Sequence, residues 1–242
     1  MNGGEGQQKP VPTGVLERGL HLLECFSLGA PRLQLRELAQ MSGLDKATAL
    51  RALKTLVAYG FLEKSADGFY WPGPANLRLA TIFRSTSNIV SRLEGSIDRI
   101  AVVSGQAAAF FVRSGEQRMC LIRDQQRRDF RYFVEVGASV PMDAGGAAAH
   151  VLAAYTDFDP ANAKQVFVRE HGYYTSRGEK NPHLVSTAVP VFESDGSFIG
   201  AAAITALRHL VTEDDITRFI EVIQQEIVSA RLGSTPALVD VK

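Results

Sequence analysis

Cysteine is scarce in this chain: only Cys25 and Cys120 occur in 242 residues. One falls in a helical pattern and the other in a strand pattern, so a disulfide framework is not expected, and a four-thiolate zinc site is excluded. A reducing compartment fits. The five histidines, His21, His150, His171, His183 and His209, include none of the close pairings that zinc sites use. A phosphate-binding loop, a strand leading into GxGxxG and a nucleophile elbow are all missing. The residues therefore point to no enzyme, no metal and no cofactor, and Cys120 reads as a small core residue. Long apolar runs are missing too, with no uninterrupted stretch of about 18 residues, the length a membrane span needs. The opening MNGGEGQQKPVPT lacks the positive start and apolar stretch of a signal peptide. The expectation is a cytoplasmic protein with no membrane partner, with tails over residues 1–12 and 234–242.

Net charge is the other absence. The chain holds 26 Lys/Arg against 26 Asp/Glu, which argues against a protein that coats nucleic acid indiscriminately. The balance hides a polarity along the chain: residues 1–85 carry ten cations and seven acids, and residues 86–242 carry sixteen and nineteen. The basic excess lies in the N-terminal third, where a polyanion would bind.

Hydrophobic content of 45% in a chain this long suffices for two domains. From Thr13, apolar residues Val15, Leu16, Leu20, Leu22, Leu23 and Phe26 recur at helical spacing, ending near Ser27. A second helix fits Leu35 to Met41, stopped by Ser42-Gly43. Asp45 stands where an N-cap belongs, opening a third helix from Lys46 to Tyr59. That helix turns Ala49, Leu53, Leu56 and Val57 inward and leaves Lys46, Thr48, Arg51, Lys54 and Thr55 on a face with three cations and no acid. Phe61 to Lys64 and Phe69 to Trp71, joined through Asp67-Gly68, read as a hairpin. Three helices followed by a hairpin make a winged helix-turn-helix over residues 13–75.

Residues 76–103 read as linker helices broken near Ser85 to Ser87. After Gly105 the period becomes extended: strands are expected at Ala107 to Val112, Met119 to Ile122, Phe130 to Val136, Val185 to Phe192 and Ile199 to Leu207. Helices are expected at Ala144 to Tyr155, 162–171 and Asp214 to Leu232. The fold class is α+β, with a central antiparallel sheet in a domain over residues 104–233.

Four stretches then resemble the IclR family of bacterial transcription regulators: VLERGLHLLECF, LRELAQMSGLDKATALRALKTLVAYGFLEK, GASVPMDAGGAAAHVLAAY and GYYTSRGEKNPHLVSTAVPVFESDGSFIGAAAITAL. Together they cover roughly Val15 to Leu232. The resemblance implies a dimer or dimer of dimers that binds operator DNA through its winged domains and a small organic acid in a GAF-like C-terminal domain. Aromatic acids are the first class to consider. By position Lys46, Thr48 and Arg51 are the leading DNA contacts; Arg51 fits either a guanine edge or a phosphate, and Lys54 fits the backbone. Lys64 in the wing either touches DNA or completes the small core, and Arg36 is a weaker phosphate candidate.

Carried across from the family, Val140, Met142, Gly146 and Ala147 line one side of the effector pocket, with Ser176 or Arg177, Ser186, Ala203 and Thr205 on the others. Free amides at the helix start near Gly145-Gly146-Ala147 suit a carboxylate. Asp143 stands where the family often has His, and Ala148-Ala149 replace the usual Gly-Lys, leaving open which cation balances an acid. Arg177 is one candidate. Phe110, Tyr132 and Phe133 either wall an aromatic ring or are ordinary core. Two other classes remain open on the residues alone: a winged-helix protein-interaction module, and a small-molecule enzyme with a fused winged helix.

Overall fold

The computed structural model describes residues 14–125 and 134–234, and the chain divides into two compact units, residues 1–86 and 87–242. Of the expected tails, residues 1–12 and 235–242 lie outside the described residues, as do Tyr132 and Phe133.

In the first unit α1 (Val15–Glu24), β1 (Leu33–Gln34), α2 (Leu35–Ser42), α3 (Lys46–Ala58), β2 (Leu62–Lys64), β3 (Phe69–Pro72) and α4 (Pro74–Thr86) follow in order. The turn between α2 and α3 works because Gly43 takes φ 69°, a left-handed conformation that only glycine adopts without cost. Asp45 then accepts from the amides of Ala47 at 3.0 Å and Thr48 at 2.9 Å, which starts α3. One face of each helix meets the others: Leu22 of α1, Leu38 of α2 and Ala49 and Leu53 of α3 are fully buried with Leu62 and Tyr70 of the hairpin. The sheet has a third strand that the periodicity does not reveal. β1 is two residues long and pairs with β3 through Leu33–Tyr70 and Gln34–Phe69, too short to show alternation.

The second unit is built on a six-stranded antiparallel sheet, in the order β6-β5-β4-β9-β8-β7. Its strands are β4 (Ala107–Ser114), β5 (Gln117–Arg123), β6 (Ser139–Pro141), β7 (Tyr174–Arg177), β8 (Leu184–Phe192) and β9 (Phe198–Leu207). Helices α5 (Asn88–Ser104) and α8 (Glu213–Ser229) form one core with the sheet, and α6 (Ala147–Thr156) and α7 (Ala163–His171) pack with the other face. Strand alternation sorts residues between these layers. Phe110, Ala202 and Ile204 belong to the α5/α8 side, whereas Phe111, Ala201 and Ala203 belong to the α6 side. β9 approaches β4 so closely at Gly200 that a Cβ there would stand 2.5 Å from the Phe110 ring and from the Phe111 carbonyl.

Four details differ from the sequence expectation. The stretch expected to be a strand from Phe130 to Val136 has no strand at 134–136, and its earlier residues lie outside the described ones. β6 and β7, three and four residues long, add two strands beyond the expected ones. The α6 helix begins at Ala147, not Ala144, because Gly145 at φ 71° and Gly146 at φ 99° interrupt the preceding 3-10 turn. Finally, α5 is no free connector: Leu93, Ile97 and Ile100 are among its residues fully buried in the core of the second unit.

Candidate functional site

Each unit carries a candidate site among the described residues. In the first unit α3 presents Lys46, Arg51 and Lys54 to solvent, with Thr48 half-buried. None of the three cations has an ion pair among the described residues. Arg51 Nη2 donates to Thr48 Oγ1 at 3.4 Å, so the two side chains share one edge of the helix near its N-terminus. Hydrogen bonds from the Thr48 side chain and amide hold the Asp45 carboxyl below its ordinary value. Arg36 is exposed on α2. In the wing, Lys64 lies 5.3 Å over the Tyr70 ring, and Trp71 Nε1 donates to Glu63 Oε2 at 2.7 Å across the strands. Arg32, not singled out from the sequence, sits 5.1 Å over the Trp71 ring. Its signal was the aromatic pair Phe69 and Trp71, which alternate along β3 on one face.

In the second unit a cavity of about 350 Å³ opens between the sheet and the start of α6. Of the residues proposed for the effector, Gly146, Ala147, Ser176, Ser186, Ala203 and Thr205 line it, joined by Phe111, Val134, Ala148 and Leu184. Val140 and Met142 do not. Val140 is buried in β6, and Met142 packs into the apolar layer under α6.

Arg177 is also outside the cavity. Its Nη2 bonds to both carboxylate oxygens of Glu213, at 2.6 and 2.7 Å. Adjacent residues of a strand point to opposite faces, so in β7 the inward position belongs to Ser176, which is 4% exposed. The same rule corrects the aromatic wall. Phe110 is completely buried on the α5/α8 side, and Phe111 is the ring that lines the cavity.

The helix start is not an open anion site either. Gly146 N–H donates to Glu179 Oε2 at 3.0 Å, and Ala147 N–H donates to Ser186 Oγ at 3.3 Å. Glu179 also accepts from Lys164 Nζ at 2.8 Å and Tyr174 Oη at 3.2 Å, and pairs with His150 Nε2 at 2.7 Å. Burial alone raises the Glu179 carboxyl, but the bonds from Lys164, Gly146 and His150 outweigh it and hold it at about 2. Burial pushes His150 below its ordinary value against the pull of Glu179. The His150 ring thus faces a carboxylate whose charge is matched by Lys164.

The buried cation of the cavity lining is Arg118 of β5, only 5% exposed. Its Nη1 donates to the Pro141 carbonyl at 3.1 Å, and no carboxylate pairs with it among the described residues. Burial lowers its pKa, as expected for a guanidinium out of water. Nη2 lies 3.5 Å from the point where a Gly146 side chain would begin, so the guanidinium faces the start of α6. Sequence reasoning missed Arg118 because an arginine between Gln117 and Met119 looks like an outward residue of an alternating strand. Both thiols are buried and inert, Cys25 pushed up to about 11 and Cys120 to about 12 by burial first of all.

A capped helix with exposed cations at its N-terminal half, set against a hairpin wing, is the apparatus of a DNA-binding transcription regulator. Residues 15–66 match the IclR helix-turn-helix domain. The transcriptional regulator BhcR of Paracoccus denitrificans is 26% identical over 217 residues, covering 80% of this chain and 77% of the relative. A crystal structure of an IclR-type regulator from a Silicibacter species superposes with TM-score 0.79 at 24% identity, covering 90% of this chain and 94% of that one. An IclR homologue from Microbacterium hydrocarbonoxydans, solved with 4-hydroxybenzoate, superposes with TM-score 0.68 at 18% identity, covering 90% of this chain and 99% of that one. Residues 15–66 thus carry an IclR-type helix-turn-helix, and the chain as a whole is similar to IclR-type transcription regulators. No helix among the described residues is long and apolar enough to cross a membrane.

Proposed function

We propose that α3 enters the major groove of operator DNA with Lys46, Thr48 and Arg51 at the base edges and nearby phosphates, while Lys54, Lys64 and Arg36 grip the backbone. A small organic acid bound in the cavity of the second unit controls that affinity. The DNA-binding function resides in residues 13–75, the sensing function in residues 104–233, and residues 76–103 couple them.

The observation that carries the sensing half is the buried Arg118 guanidinium at the cavity wall, without a carboxylate partner among the described residues. Burying a charge without a counter-charge is costly, and a cavity is where a ligand supplies one. Ser176, Ser186 and Thr205 add hydroxyls to orient the acid, and Phe111 and Leu184 add apolar walls. Such a lining suits an aromatic acid, the class represented by the 4-hydroxybenzoate bound in the Microbacterium protein.

Self-association completes the proposal. Val15, Leu16 and Leu20 of α1 and Leu77, Ile82 and Phe83 of α4 are exposed apolar side chains suited to contact with a second copy. A dimer would present two recognition helices to a two-fold operator.

Control requires the acid to bind the DNA-competent and DNA-incompetent forms unequally, since equal binding shifts nothing. The experiment is a DNA titration by fluorescence anisotropy, on an operator selected from random sequence, with and without acids that raise the melting temperature of the purified protein. A shift in operator affinity with a stabilising acid is expected. Stabilisation that leaves operator affinity unchanged would remove the regulatory half of the reading.

A further inference from the structure

The cavity lining carries an unequal charge, with one acidic side chain, Glu179, and two cations, Arg118 and Lys180. Glu179 is already satisfied: Lys164, outside the lining, balances its charge at 2.8 Å, and the Gly146 amide and His150 take up its oxygens. The resident carboxylate thus fills the start of α6, the place where a ligand carboxylate was expected, and contributes no charge to Arg118.

Two positive charges are left over. Arg118 is buried in the sheet wall, and Lys180 stands at the exposed mouth with no ion pair among the described residues. Burial first, and then the Arg118 charge, hold Lys180 below the ordinary lysine value. A carboxylate on Arg118 alone would leave the Lys180 ammonium free to take a second one at the mouth. The same lining contains Phe111, Val134, Leu184 and the methyls of Ala147, Ala148 and Ala203, which suit a short apolar body, beside the hydroxyls of Ser176, Ser186 and Thr205.

Resting on the reading that the cavity holds an organic acid, we propose that its ligand is a compact dicarboxylate, with one carboxylate on the buried Arg118 guanidinium, the second on Lys180 at the mouth, and an apolar spacer against Phe111 and Leu184. Arg118 offers the forked donor geometry for the deep carboxylate. Lys180, a flexible point charge at the water boundary, selects for the second charge. A monoacid of the same body reaches only the deep subsite.

The test is isothermal titration calorimetry on the full-length protein with matched pairs: terephthalate and phthalate against benzoate, adipate and glutarate against pentanoate. At least one diacid should bind roughly tenfold or more tightly than its monoacid partner, the worth of one charge-assisted hydrogen bond near water. Lys180→Met should weaken that diacid by roughly tenfold and the monoacid by much less. Arg118→Gln should abolish both, with circular dichroism confirming the fold. Because Lys180 is exposed, its variant keeps the test decisive if Arg118→Gln does not fold. Monoacids and diacids binding equally, or Lys180→Met weakening both alike, would overturn the dicarboxylate assignment and leave the organic-acid reading standing. Binding by none of these acids would bring down both.

Discussion

The two units hold their arginines under opposite conditions. On α3 of the first unit, Arg51 stands in solvent beside Lys46 and Lys54 without an ion pair among the described residues, and staying charged there requires no compensation. In the second unit Arg118 is 5% exposed and its one identified acceptor is a backbone carbonyl. An exposed cation face is compatible with a merely solvated helix, so it becomes informative only when the surrounding fold is a winged helix-turn-helix. A buried, unpaired guanidinium opposes folding and so asks for an explanation in function. The quieter residue is the more diagnostic one.

This contrast is sharpest where function and stability move in opposite directions. Replacing Arg118 with Met removes an uncompensated buried charge and keeps the volume, so the ligand-free protein should gain stability, by roughly 1–4 kcal/mol if it follows substitutions of other buried ionic groups. All response to organic acids should vanish. Urea denaturation and the thermal-shift screen check the two halves. A marked loss of stability with a folded-state response intact would make Arg118 a structural residue and erase the contrast.

Next in size is Gly146→Val. The backbone at φ 99° disfavours any side chain, and the new atoms would begin 3.5 Å from Arg118 Nη2. A destabilisation of about 1–3 kcal/mol is expected from the strained conformation, together with loss of acid binding in calorimetry and unchanged operator affinity. Parallel loss of DNA binding would show that the defect is not confined to the second unit.

On the other side of the comparison, Arg51→Ala should leave stability within about 0.5 kcal/mol of the parent, as exposed substitutions do. Operator binding should weaken by roughly 1–3 kcal/mol. An anisotropy titration with unchanged affinity would move the reading face away from α3.

Glu179 gives a smaller effect, visible in acid. Its folded carboxyl at about 2 lies below the ordinary 4.5, so the unfolded chain binds the proton first. Its contribution to stability is complete above about 4.5 and is lost as pH falls toward 2. Glu179→Gln should therefore show a shallower fall in melting temperature between pH 5 and 3 than the parent; identical slopes would mean that the carboxylate is not held as described. Smallest of all is Lys64→Ala. Without this cation to grip a phosphate, the wing should bind all DNA sequences more weakly by the same factor, and the slope of log affinity against log salt should fall by about 1. A salt titration that superposes on that of the parent would assign Lys64 to the small core instead.

Most of the winged unit was legible because its signals are local. The Asp45 cap, the Gly43 turn and the helical spacing within each helix, such as Ala49 to Leu53 in α3, each act within a few residues along the chain. Helix periodicity also revealed α5 and α8, and alternation revealed the long strands β8 and β9. The short strands β1, β6 and β7 were not legible, since two to four residues carry no measurable period.

What the sequence alone determined was therefore the order and kind of the longer elements, the exposed basic face of α3 and the resemblance to IclR-type regulators. The tertiary structure decided which neighbour faces the cavity: Ser176 and not Arg177, Phe111 and not Phe110. That choice depends on strand register, and a one-residue difference exchanges the faces of a sheet; the β4–β5 pairing itself shifts between Phe110 and Phe111. It decided as well that Glu179, 33 residues beyond Gly146, fills the start of α6. Arg118 was left facing the cavity without a carboxylate partner among the described residues. Local propensity reports on neighbours along the chain, whereas the charge balance of a cavity is set by side chains that meet only after the sheet has closed.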